Sequence, residues 1–215
     1  MRNELLKEVR MRKALVVLLI AAFAISAFAA EIHYGVTGGL NLSNFTGEDA
    51  DDFAMKLGFN VGAMLDIELF SVLSFQPELL YTMKGANADT GDGSLALNYL
   101  EIPILLKVTP VSNDKMDISV FAGPFVAMKL SEKITDSDGD ELDLDEDRYT
   151  SMDMGLNFGA GVTMPFAGET KLGLQAGYEM GVTNVLDIDD WDDSWGPEPE
   201  AKTTNIFLSA IIFFN

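Results

Sequence analysis

Residues 153–164 read DMGLNFGAGVTM, and their alternation decides the fold. Met154, Leu156, Phe158, Ala160, Val162 and Met164 fall on one face of an extended chain. Asp153, Gly155, Asn157, Gly159, Gly161 and Thr163 fall on the other. Side chains alternate with period two along a strand, so this stretch is a strand with one apolar and one polar face. Residues 171–182, KLGLQAGYEMGV, repeat it: Leu172, Leu174, Ala176, Tyr178, Met180 and Val182 oppose Lys171, Gly173, Gln175, Gly177, Glu179 and Gly181. The last residues do so again, with Ile206, Leu208, Ala210, Ile212 and Phe214 opposite Asn205, Phe207, Ser209, Ile211 and Phe213.

Five further segments fit upstream, over residues 32–42, 55–68, 72–84, 97–108 and 117–130. The reading is eight strands of about 11–14 residues. Ordinary globular strands average roughly 5–6 residues, whereas tilted strands that cross a bilayer need about 9–11. Short turns are predicted near 69–71, 109–116 and 166–169, and longer loops near 43–52, 85–94, 131–150 and 184–201. Short turns at one rim and longer loops at the other mark an even-stranded up-and-down barrel. The predicted fold class is therefore all-β, an eight-stranded antiparallel up-and-down transmembrane β-barrel.

Alternation does not say which face points inward. A soluble lipocalin-type barrel is apolar inside and wet outside, and a membrane barrel is the reverse. The polar face is rich in glycine, which weakens a water-exposed strand but fits where walls crowd together. It also carries both charge signs: Lys56, Lys84, Lys107, Lys129 and Lys171 with Asp66, Glu68, Glu78, Glu101, Asp117, Asp153 and Glu179. Opposite charges can pair inside a lumen. The other face carries almost no charge over eight strands, an aggregation hazard in water and a requirement in lipid. Tyr34, Tyr81 and Tyr178 are expected outside, in an interfacial aromatic girdle.

The segments YGVTGGLNLSNF (34–45), SFQPELLYTMKG (74–85), NYLEIPILLKV (98–108), FAGPFVAMKL (121–130) and GLNFGAGVTM (155–164), with the terminal Phe213-Phe214-Asn215, carry a resemblance. The chain resembles the outer-membrane β-barrel domain family, the small porin-like, eight-stranded outer-membrane proteins of Gram-negative bacteria. The resemblance implies outer-membrane lipids as surroundings and delivery through periplasmic chaperones to the barrel assembly machinery. The terminal aromatic usually closes the chain in that family, and here Asn215 follows it.

Residues 1–29 read as a cleaved signal peptide and 30–215 as the barrel domain. Arg10, Arg12 and Lys13 precede 17 uncharged residues, Ala14–Ala30, and Ala27-Phe28-Ala29 is a cleavage site. Met11 could serve as initiator in place of Met1, since MRKALVVLL opens a complete signal by itself. Cleavage changes the net charge from −20 to −23 in the mature chain, with 9 basic and 32 acidic residues. So acidic a chain excludes nucleic acid, whose phosphates need clustered Lys and Arg. The absence of cysteine excludes thiol chemistry and disulfides.

Of the mature acids, 22 fall in the four predicted long loops. In the resembled family that rim faces outside the cell, and there it would concentrate cations and repel anions. The sharpest motif is DSDGDELD, residues 136–143, where Asp136, Asp138, Asp140 and Asp143 surround Gly139. Alternating Asp with a Gly supplies the hard oxygens and the turn that calcium requires. A solvated acidic loop explains the same residues, so no metal site is assigned. Trp191 and Trp195 read as interfacial anchors or as an aromatic platform. His33, the lone histidine, opens the first strand inward at the short-turn rim, away from the outer rim where lipid-active barrels place their catalytic pair. No catalytic role and no cofactor are expected. The expected protein is a monomer with a structural or surface-interaction role, its loops meeting cations or an extracellular partner. The alternative is a narrow cation-preferring porin-like channel for small solutes. A periplasmic soluble barrel is the third reading.

Overall fold

The computed structural model describes residues 31–47, 53–88, 93–136, 140–142, 150–186 and 200–214. The export segment lies outside them, as do most of the loop acids, Asp138, Asp143, Trp191 and Trp195.

Nine strands form among the described residues: β1 (Ile32–Thr46), β2 (Phe53–Phe70), β3 (Leu73–Ala88), β4 (Gly93–Ser112), β5 (Asp117–Asp136), β6 (Glu141–Leu142), β7 (Met152–Ala167), β8 (Thr170–Gly181) and β9 (Lys202–Phe214). Eight of them close a barrel in which every neighbour is antiparallel, with β9 returning to β1 and β4 pairing with β5. The two-residue β6 is an outrigger on the end of β5, through Ile134↔Leu142 and Thr135↔Glu141. Closure removes the exposed edges that would otherwise recruit other chains.

Tight turns hold one rim. Ser71 and Val72 join β2 to β3. Asn113 turns β4 into β5, its side-chain oxygen accepting from the amides of Lys115 and Met116 at 3.0 and 3.2 Å. Gly168, with φ +60°, lies in the left-handed region that the β7–β8 turn needs and L side chains avoid.

The strands outrun the expectation at both rims, and the loop and turn bounds are corrected: residues 43–46 belong to β1, 69–70 to β2 and 166–167 to β7. Residues 85–88 and 93–94 belong to β3 and β4, so only 89–92 connect them. β4 continues to Ser112. β5 continues to Asp136, so Glu132 and Asp136 are strand residues. A bulge explains the last case. Lys129 faces Tyr99 and Ser131 faces Asn98, leaving Leu130 as the extra residue. Beyond it the inward positions switch from odd to even, which turns Glu132 and Ile134 toward the barrel axis.

The apolar face points out. Leu40, Leu57, Val61, Leu79, Ile104, Val120, Met128, Leu156, Leu208 and many others are exposed, as a lipid-facing belt requires. Tyr34 is exposed, and Tyr81 and Tyr178 lie against Phe59 and Phe158 with ring centroids 5.7 and 5.5 Å apart.

Candidate functional site

The inward face is where the charged side chains meet. From the long-connection rim downward it is stacked in layers. The uppermost is apolar: Phe45, Leu95, Leu97, Tyr99, Phe125 and Ala127 cluster with Val185 and Ala201 from the β8–β9 connection. The Val185 amide donates to the Ala201 carbonyl at 2.8 Å, and the Thr150 amide donates to the Val185 carbonyl at 2.9 Å. These bonds hold Val185 over the lumen with no exposed surface.

An ionic layer lies below. Lys84 pairs with Glu101 at 2.6 Å and with Glu179 at 3.0 Å, and all three are buried. The Lys84 ammonium also sits 4.2 Å from the centroid of the Phe125 ring, whose face attracts a cation. Asp153 accepts from the Thr203 hydroxyl at 2.7 Å, and Glu179 accepts from the amides of Asn157 and Asn205. The next layer mixes amides with rings. Asn60 donates to Asn41 at 2.7 Å and accepts from Ser209 at 3.1 Å. Gln76 donates to Glu78 at 2.6 Å, and Phe121 stacks on Phe207. Below these lie Met64, Ile211 and Phe213, beside the buried Lys107–Asp66 ion pair.

Glycine makes the ring layers fit. Phe125 faces Gly155 and Phe121 faces Gly159 across β5–β7. Phe207 faces Gly177 across β8–β9, and Phe213 faces Gly35 across β1–β9. A Cβ on Gly155 or Gly159 would come within 2.6 Å of the opposing ring, and on Gly35 within 3.1 Å. At Gly177 it would overlap the Phe207 ring. The crowding expected from opposite walls thus comes from the adjacent strand, with each ring lying over the bare backbone beside it.

The short-turn end stays open, in a basin of about 410 Å³. Its polar lining includes His33, Asp66, Glu68, Lys107, Asp117 and Lys171. His33 Nε2 lies 3.3 Å from Glu68 Oε1, and Glu31, His33 and Glu68 bring ligand-type atoms within 4.8 Å of one another. Sequence reasoning left His33 without this partner. The contact depends on the pairing of β1 with β2, which sets His33 opposite Asp66 and ties the Glu68 amide to the Glu31 carbonyl.

Of the calcium candidates, Asp136 and Asp140 are described. The Asp140 amide donates to Asp136 Oδ1 at 2.9 Å, and the Asp136 amide donates to the Asp140 carbonyl at 3.0 Å. Two hydrogen bonds therefore join Asp136 to Asp140 just before β6. Glu132, grouped with the loop acids by sequence, instead pairs with Lys129 at 2.7 Å.

Solved structures share this architecture. Neisserial surface protein A superposes with a TM-score of 0.52 at 9% identity, covering 84% of this chain and 97% of that one. A major outer membrane protein of Thermus thermophilus gives 0.51 at 14% identity, covering 86% and 100%. The attachment invasion locus protein Ail of Yersinia pestis gives 0.45 at 14% identity, covering 86% and 99%. None of the curated proteins matches the chain in sequence. Residues 24–187 match the family described as outer membrane protein beta-barrel domain. With a closed barrel, a lipid-type exterior and a family match over most of its length, the chain belongs to the outer membrane protein beta-barrel domain family.

Proposed function

We propose that this outer-membrane barrel is a non-conducting, non-enzymatic scaffold. It acts as a monomer that displays its long, acidic connections at the cell surface to cations or to an extracellular partner. The observation that carries this reading is the filled lumen. The inner space between the ionic layer and the Phe121–Phe207 layer is only about 20 Å³, and Val185 covers the apolar layer above it. That is room for one water-sized occupant, whereas conduction needs a continuous wet path. Export by cleavage near Ala30, with assembly from the periplasmic side, supports placing the short turns inward and the acid outward. Calcium at Asp136, Asp138, Asp140 and Asp143 remains one form that cation binding could take, at affinities of about 10⁻⁴ to 10⁻³ M.

Planar-bilayer recording of the purified mature barrel tests the reading. The expected trace shows no stable unitary steps. The alternative, a narrow cation-preferring channel for small solutes, draws on the excess of acid in the interior. Cation-selective steps that shrink when the loop acids become Asn would establish it and remove the scaffold reading.

A further inference from the structure

The buried interior does not balance its own charge. Among the described residues Asp66, Glu78, Glu101, Asp153 and Glu179 are each less than a tenth exposed, and two lysines, Lys84 and Lys107, are buried with them, while Lys129 is balanced by Glu132. Lys107 pairs with Asp66, and Lys84 is shared by Glu101 and Glu179. Asp153 and Glu78 rest on neutral donors, the Thr203 hydroxyl and the Gln76 amide. Three negative charges are left over inside a wall sheathed by lipid. Buried charge without compensation is too costly to persist, so a bound cation or protons must offset it.

The geometry says where. The 20 Å³ cavity is lined by Glu78, which no lysine pairs, and by Glu179, which has only a share of Lys84, and no lysine lines it. Asn157 and Thr82 also line it, and both are buried. Asn157 Oδ1 and Thr82 Oγ1 have no hydrogen-bond partner among the described residues. The cavity thus collects two carboxylates, an amide oxygen and a hydroxyl around space for a single occupant. An all-oxygen set with no nitrogen or sulfur donor suits a hard cation, and two carboxylates with neutral oxygens form a calcium-type ligand set.

We propose that this cavity holds one resident hard cation of the calcium class, bound by Glu78, Glu179, Asn157 and Thr82. The ion offsets two of the three surplus charges. It is enclosed as the strands pair, since rings and the Val185 cap lie above and Phe213 and Ile211 lie below. The site is distinct from Asp136 and Asp140, which lie at the long-connection rim within reach of a chelator.

The test is calcium retention. The mature barrel is folded into phosphocholine micelles in calcium chloride, dialysed against EDTA, and its metal content read by elemental mass spectrometry. About one calcium per barrel is expected in the parent chain. Glu78→Gln is expected to lower that by about tenfold, while Asp136→Asn with Asp140→Asn leaves it unchanged. Thr82→Val removes one neutral ligand without altering charge, and is read in parallel so that poor folding of Glu78→Gln cannot mask the answer. It is expected to lower retention by about threefold. Equal retention in all variants, or none in the parent chain, overturns the site. So does an infrared protonated-carboxyl band in the parent that Glu78→Gln abolishes, because protons would then supply the balance.

Discussion

Phe121 and Gly159 face each other across the β5–β7 pairing, and the Phe121 ring already fills the place where a Cβ on Gly159 would stand, 2.6 Å from its Cζ. The same relationship recurs at Phe125–Gly155, Phe207–Gly177 and Phe213–Gly35. These pairs let large rings occupy a lumen that eight strands leave only just wide enough for side chains.

Gly159→Ala is expected to destabilise the barrel by about 1–3 kcal/mol, the usual cost of overpacking, because its Cβ would meet the Ala176 carbonyl as well as the Phe121 ring. Gly38→Ala is the comparison, because its added Cβ would meet only the Asn60 carbonyl, at 3.9 Å. It should be near neutral. Urea unfolding in lipid vesicles measures both. Equal stabilities would show that neither the ring nor the β8 backbone needs the bare glycine.

Lys84 is the single cation between Glu101 and Glu179. Lys84→Met leaves both carboxylates without it and should cost about 3–5 kcal/mol. Adding Glu101→Gln should recover part of that loss, since the double variant buries less unpaired charge. A double variant as unstable as the sum of the singles would mean that the two side chains do not interact.

The outer face should respond to depth. Leu208→Arg, central in β9, is expected to cost about 2–4 kcal/mol, and Phe214→Arg at the rim about 0–1 kcal/mol. Vesicle unfolding again supplies the measurement. The parent chain should also stay in the pellet after a sodium carbonate wash. Release into the supernatant would contradict a lipid-facing belt.

Most of the barrel could be read from the chain because alternation is a local signal. DMGLNFGAGVTM needs no partner to show its two faces, and the charge-poor face of eight segments told which one meets lipid. The rim extensions were hidden for a physical reason. Glu132 and Lys133 read as loop residues, yet the bulge at Leu130 continues the strand through them with its facing reversed. The ring–glycine pairs, and the contact of His33 with Glu68, depend on register, which is set by pairing between strands far apart in sequence. Of the rim motif, Asp136 and Asp140 are hydrogen-bonded to each other, while Asp138 and Asp143 lie outside the described residues.

The Val185 cap and the open basin make the barrel a cup rather than a tube. Its one described mouth contains the only histidine of the chain. A histidine-selective reagent that cannot cross lipid would reach His33 from a single compartment. The molecule therefore carries its own marker of sidedness: labelling in intact cells versus opened ones reports which way the barrel stands in its membrane.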